Sequence, residues 1–172
     1  KINKGFSMAV ETFVDKDQSA INFAKALIMD TVRNANSGNT GGPISSLDFT
    51  YILYKDFLKF NPDDPDWIDR DRFVLSAGHE SALLYVMLTY VGWLDIEDLK
   101  KFRQLGSKTP GHPERGLTPG VEATTGPLGQ GVGNAVGMAV AESILRDRFG
   151  EDIINHYTYC LHGDGDIQEP IS

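Results

Sequence analysis

Three polar side chains lie in segments where glycine and proline restrict the backbone. They are Asn39 in Ser37-Gly38-Asn39-Thr40-Gly41-Gly42-Pro43, His79 in Ser76-Ala77-Gly78-His79, and His112 in Pro110-Gly111-His112-Pro113. Imidazole titrates near neutral pH, so the two histidines are candidates for moving protons. For either one alone, surface exposure or a turn hydrogen bond is the plainer explanation; two of them in such constrained loops shift the balance. Asparagine donates and accepts hydrogen bonds but carries no proton at neutral pH. A fourth candidate is Asp164 in Gly163-Asp164-Gly165. An aspartate after a buried strand offers a hard oxygen to Mg²⁺ or Ca²⁺, and flanking glycines let a bulky phosphate come close to the backbone. Asp-Gly pairs are also common turn formers, so the tripeptide alone is a weak signal.

These residues need elements to hold them. Apolar residues at helical spacing from Ser19 to Val32 (Ile21, Ala24, Leu27, Ile28, Val32) predict an amphipathic helix, with Asp15 or Asp17 as its cap and Gly38 beyond its end. A second helical pattern from Leu47 to Phe60 predicts burial of Phe49, Ile52, Leu53, Phe57 and Phe60, with Ser45 or Ser46 as caps. Phe73-Val74-Leu75 reads as a buried strand opening into the His79 loop, followed by a helix to Gly92. Asp95 to Leu105 begins acidic and ends basic, the order that a helix dipole favours. Eight of the 18 glycines and four of the eight prolines fall between Gly106 and Gly133, which predicts a long loop, and long loops in compact domains are usually functional. A further helix is predicted from Asn134 to Phe149, with Gly133, Gly137 and Ala141 as a smooth packing stripe. Tyr157 to Leu161 predicts a second buried strand that ends at Gly163-Asp164-Gly165. Strands alternating with helices imply an α/β layout with ligands at the carboxyl edge of a parallel sheet.

Composition narrows the partners. The 172 residues carry 16 Lys plus Arg against 24 Asp plus Glu, a formal charge of −8, which disfavours nucleic acid and anionic membrane surfaces. An acidic chain that holds a diphosphate can do so through a divalent cation, which resolves the electrostatic conflict. The single cysteine, Cys160, excludes an intrachain disulfide and makes a cytoplasmic protein the expectation. No apolar run approaches the ~18 to 20 residues of a membrane span. The chain starts without Met and stops at Ile171-Ser172, so it is expected to belong to a larger polypeptide.

Several segments in order along the chain resemble the transketolases, thiamine diphosphate enzymes of sugar phosphate metabolism and the pentose phosphate pathway. They are Ala35-Asn36-Ser37-Gly38 with Gly41-Gly42-Pro43; Arg70-Asp71-Arg72-Phe73-Val74-Leu75-Ser76-Ala77-Gly78-His79; and Phe102-Arg103-Gln104-Leu105. Next come Ser107-Lys108-Thr109-Pro110-Gly111-His112-Pro113-Glu114, Thr118-Pro119-Gly120-Val121-Glu122, and Thr124-Thr125-Gly126-Pro127-Leu128-Gly129-Gln130-Gly131. His156-Tyr157-Thr158-Tyr159 and Gly163-Asp164-Gly165 complete the set, which covers the chain from about residue 20 onward.

The resemblance implies the thiamine diphosphate-binding fold: α/β, a three-layer parallel sheet flanked by helices, incomplete in this chain. Residues 1–172 would be the N-terminal part of the diphosphate-binding domain, without the pyrimidine-binding and C-terminal domains. It further implies that Asp164 ligates the divalent metal, Mg²⁺ or Ca²⁺, and that Gly165 borders the cofactor diphosphate. His79 would lie near the diphosphate and the reacting centre, and Gly126, Pro127 and Leu128 would line the cofactor. His112 would contact substrate hydroxyls and manage protons. Glu169 matches a glutamate that communicates between the two sites of a homodimer. The activity implied is transfer of a two-carbon ketol unit between ketose and aldose sugar phosphates, with the isolated chain inactive.

Two departures stand out. Asn39-Thr40 replaces the family's usual His-Pro, so the proton handling assigned to that wall falls to an amide. The asparagine that supplies a second metal ligand in the family lies beyond the last residue of this sequence. The competing readings are a related thiamine enzyme such as a 1-deoxyxylulose-phosphate synthase or a sulfo-sugar relative, and a non-catalytic module for cofactor binding or subunit pairing.

Overall fold

A computed structural model describes residues 4–169, with side-chain detail from residue 16 onward. Helix α1 spans Lys4–Ala35 and buries Ile21, Ala24, Ile28 and Val32, the face that the sequence predicts. It starts well before the expected cap. Asp17 lies within the helix and accepts hydrogen bonds from Tyr51 Oη at 3.0 Å and Lys55 Nζ at 2.7 Å; the side chain of Asp15 is outside the described residues. The chain then turns through Asn36 and Gly38, both at positive φ (49° and 128°).

Helix α2 spans Gly41–Ile52 and continues as a wider π-helical turn, Leu53–Phe57, closed by the Leu58 N–H on the Leu53 carbonyl. This corrects the predicted face. Pro43, Leu47, Thr50 and Tyr54 are buried, while Phe49, Ile52 and Phe57 are 52%, 36% and 66% exposed. The helix begins ahead of the predicted caps, and Pro43, Leu47, Thr50 and Tyr54 follow helical spacing as well as the predicted residues do, so periodicity alone does not choose the buried side; of the predicted set, Leu53 and Phe60 are half-buried. Ser45 and Ser46 lie inside the helix, where Ser45 Oγ donates to the Gly42 carbonyl at 3.0 Å.

Strands β1 (Arg72–Leu75) and β2 (Thr158–Leu161) pair in parallel, with Arg72 opposite Thr158 and Leu75 opposite Leu161. Alternate side chains point to opposite faces. Phe73, Leu75, Tyr159 and Leu161 join the core made by α1, α2 and α3 (Ser81–Val91), whereas Val74 and Cys160 pack with Ala123, Ala135 and Met138 under α5 (Gln130–Phe149). The result is three layers, helices on both faces of a parallel sheet, as expected. Helix α3 is buried from Ser81 through Leu88 and stops at Gly92, which takes the left-handed conformation that glycine adopts without strain.

Two other elements differ from their sequence readings. The charge-ordered segment forms only one helical turn, α4 (Ile96–Leu99), opened by a capping box between Asp95 and Asp98. It cannot continue because Thr109 Oγ1 takes the Asp98 carbonyl, the Thr109 carbonyl takes the Arg103 N–H, and Arg103 stands at φ 60°. Helix α5 packs on the sheet through Gly131, Ala135 and Glu142, and Gly133, Gly137 and Ala141 are exposed on the opposite side.

The long loop is held to the entrance of β1 by a buried ion pair. Arg70 Nε and Nη2 donate to the two oxygens of Glu122 at 2.7 and 2.9 Å, and Arg72 Nε lies 3.8 Å from the same carboxylate. Arg70 and Glu122 are 8% and 6% exposed, so removing one partner strands the other's charge. Glu122→Ala is expected to destabilise the fold by about 3–5 kcal/mol in denaturant unfolding, because two guanidinium groups lose their counter-charge. A loss below about 1 kcal/mol, the range of exposed pairs, would show that the loop is held by its other contacts.

Candidate active site at the carboxyl edge

Both strands run in the same direction, so the segments after Leu75 and after Leu161 leave at one edge of the sheet. The first carries His79 on the short turn Gly78–Glu80, and the second carries Gly163, Asp164 and Gly165. The start of α5 arrives at the same place. A Cβ on Gly131 would stand 2.4 Å from Ser76 Cα, so only glycine permits this approach. Ser76 Oγ accepts the Val132 N–H at 3.1 Å, and Asp166 Oδ1 accepts the Gly129 N–H at 2.5 Å. The second bond ties the Asp164 segment to the loop of Gly126, Pro127 and Leu128.

His112 is placed by α3. Ser81 Oγ donates to the Gly111 carbonyl and Tyr85 Oη to the Pro110 carbonyl, each at 2.8 Å. Four residues apart, these two side chains lie on one face of the helix and hold the two peptides that precede His112. On the other side, the Thr125 N–H donates to the Pro113 carbonyl and Thr125 Oγ1 to the Leu75 carbonyl, which joins the loop to the strand end. The His112 ring then lies 3.6 Å from where a Gly126 Cβ would be, and a Cβ on Gly78 would meet Thr125 Oγ1 at 2.8 Å and Gly126 N at 2.9 Å. His79, His112 and Gly126 therefore converge on one small region.

Arg103 is the residue that the sequence reading left without a role. Its Nη1 donates to Ser37 Oγ at 3.1 Å, its Cζ lies 3.1 Å from the Cβ position of Gly111, and its Nε is buried with no acceptor among the described residues. It thus links the Asn39 loop to the His112 loop. Partial burial, the Arg103 guanidinium and His79 all lower the His112 pKa below its ordinary value, which keeps the imidazole neutral and able to accept a proton.

Asn39 is exposed in the bend before α2, one residue beyond Gly38. Asp164, Gly165 and Glu169 are also exposed, and Glu169 closes the turn Asp166–Gln168 with its N–H 3.4 Å from the Asp166 carbonyl. No group of three or more His, Cys, Asp or Glu side chains suited to a metal ion occurs among the described residues. A cavity of about 290 Å³ between Pro65 and Glu122 lies at the entry end of β1, away from these residues.

An α/β protein with its polar loops gathered at the carboxyl edge of a parallel sheet has the geometry of a ligand-binding enzyme domain. The family model described as "Transketolase, thiamine diphosphate binding domain" matches residues 16–172, and the chain belongs to that family. It is 57% identical to transketolase 1 of Escherichia coli (strain K12) over 88% of this chain and 23% of that protein. It is 52% identical to the transketolase of Aquifex aeolicus (strain VF5) over 100% of this chain and 26% of that protein. The structure of a transketolase from Leishmania mexicana matches with a TM-score of 0.87 and 49% identity over 90% of this chain and 24% of that one. The chain thus spans about a quarter of the length of these relatives.

A cation beside an imidazole opposes protonation, so taking the cation away lets the ring protonate at higher pH. Arg103→Gln is expected to raise the His112 pKa, read from its ring proton shifts in an NMR titration. A His112 titration curve that does not move would show that burial and His79, not Arg103, set its value.

Proposed function

We propose that the protein is the N-terminal part of the diphosphate-binding domain of a transketolase, with the pyrimidine-binding and C-terminal domains in the rest of the enzyme. The whole enzyme transfers a two-carbon ketol unit from a ketose phosphate to an aldose phosphate. The observation that carries this reading is the convergence of His79, His112 and Gly126 beside the tethered Asp164 segment, in a chain of this family. A transketolase from Pichia stipitis has been solved in complex with sedoheptulose 7-phosphate, and it matches this chain with a TM-score of 0.83 at 49% identity, which supports sugar phosphates as substrates.

Thiamine diphosphate, when bound, supplies the nucleophilic carbon and the electron sink for breaking a carbon–carbon bond beside a carbonyl. The residues here fit such a group. Gly126 and Gly165 let its diphosphate approach the backbone, and Leu128 and Ile167, 36% and 48% exposed, offer apolar surface beside the Gly129–Asp166 tether. Asp164 is one exposed carboxylate, and Mg²⁺ is commonly held by one or two carboxylates together with phosphate oxygens and water. Asp164 would accordingly hold Mg²⁺ or Ca²⁺ together with the diphosphate, and His79 would lie near the diphosphate and the reacting centre. Neutral His112 takes and returns the proton of a substrate hydroxyl, while Asn39 orients a substrate oxygen by hydrogen bonding. Glu169 belongs to the communication between the two sites of a homodimer. A cytoplasmic location suits the lone Cys160, whose thiol burial and Asp166 push up to about 11, and no described helix is long and apolar enough to cross a membrane.

The test uses the full-length enzyme with a ketose phosphate donor and an aldose phosphate acceptor. Asp164→Ala is expected to lose metal-dependent thiamine diphosphate binding and activity together. His112→Ala should keep the cofactor and lose about 10² to 10⁴ in kcat, the usual worth of one general acid–base group. Equal loss of cofactor in both variants would show that the roles are divided wrongly, and absence of ketol transfer in the wild type would overturn the reading itself.

A further inference from the structure

Glu80 follows His79 directly and is the residue from which α3 begins. Its side chain reaches across to the first turn of α2. A Cβ built on Gly42 would lie 2.2 Å from Glu80 Oε1, 2.6 Å from Cδ and 2.9 Å from Cγ, so the carboxylate occupies the space that any larger residue at 42 would need. The other oxygen, Oε2, is buried and has no hydrogen-bond partner among the described residues.

The first turn of α2 is a favourable place for that charge. Thr40 makes no side-chain cap, Pro43 has no N–H, and the first intrahelical donor is Ile44, bonded to the Thr40 carbonyl at 3.0 Å. The Gly41 and Gly42 N–H groups and the positive end of the helix dipole are left facing outward from the turn. Glu80 therefore joins two walls of the site: the strand-end turn that carries His79, and the loop from Ser37 to Gly42 that carries Asn39.

We propose that Glu80 is a positioning residue, whose carboxylate interlocks with Gly42 and sets the separation between the Asn39 wall and the His79 wall. Glu80 has its seat because residue 42 has no side chain, and a side chain at 42 would push the carboxylate out of it. The catalytic part of this inference rests on the ketol-transfer reading; the interlock itself does not.

The experiment is a double-mutant cycle in the full-length enzyme, with Gly42→Ala, Glu80→Ala and the pair combined. Hydrogen exchange of the backbone amides of residues 38–44, measured without cofactor or substrate, reads the interlock directly. Each single variant should speed exchange by at least about tenfold, and the combined variant should return to within about threefold of wild type, because the new methyl refills the space that the carboxylate leaves. In turnover, each single variant should raise KM for the ketose donor relative to kcat by at least about fivefold, with thiamine diphosphate affinity within about threefold, and the pair should recover. Should Gly42→Ala fail to fold, a folded double variant gives the same answer. Wild-type exchange in both singles, or a double variant no better than the sum of its parts, would overturn the proposal. Confirmed exchange behaviour in an enzyme that transfers no ketol unit would instead count against the proposed function and leave the interlock standing.

Discussion

The site depends on how closely the first turn of α5 can approach the end of β1. At Gly131 a single methyl group would collide with the backbone of Ser76, a residue with no solvent exposure. That contact lets the helix lie directly against the strand end, and a side chain at 131 would force the two apart because the backbone on each side has no rotamer with which to adapt. The bonds nearby depend on it. Val132 reaches Ser76 Oγ, Gly129 reaches Asp166, and the glycine-rich loop is drawn over the strand ends, where Gly78 meets Thr125 and Gly126. A diphosphate needs backbone that it can approach without meeting side chains, and close glycine contacts produce such a surface.

Around this centre the charges are divided by location. Arg70 and Arg72 are engaged by Glu122 at the entry end of β1, where they hold the loop and present no cationic site. At the opposite edge lie Arg103, His79 and His112, with His162 just after β2, and Arg103 and His79 contribute to keeping His112 neutral. Under the proposed function, the net charge of −8 favours holding an anionic cofactor through a divalent cation, which would leave the imidazoles to exchange protons with substrate.

Much of this layout was legible in the sequence, because a short apolar run that stops at glycine and a polar residue marks a strand end. Phe73-Val74-Leu75 and the segment ending at Leu161 located both strands, and with them His79 and Asp164. The buried face of α2 was not legible, since Phe49, Ile52 and Phe57 satisfy helical spacing as well as the residues that are buried, and the π turn at Leu53 leaves no periodic trace. Arg103 and Glu80 were missed for a different reason. Their partners, Ser37 and Gly42, are remote in the chain, and only the folded structure brings them together. The alternation of glycine with polar residues marked where the polar loops gather but not the side chains that join them.

Under the proposed function, backbone proximity at the strand end creates the surface that receives the diphosphate. The most direct measurement is calorimetric titration of thiamine diphosphate, in the presence of Mg²⁺, into the full-length enzyme and its Gly131→Ala variant, with circular dichroism to confirm that helix content is retained. A folded Gly131→Ala protein is predicted to bind the cofactor at least about tenfold more weakly, equivalent to about 1.4 kcal/mol. Unchanged affinity would contradict the account, because it would mean that the cofactor surface does not depend on the contact between α5 and Ser76.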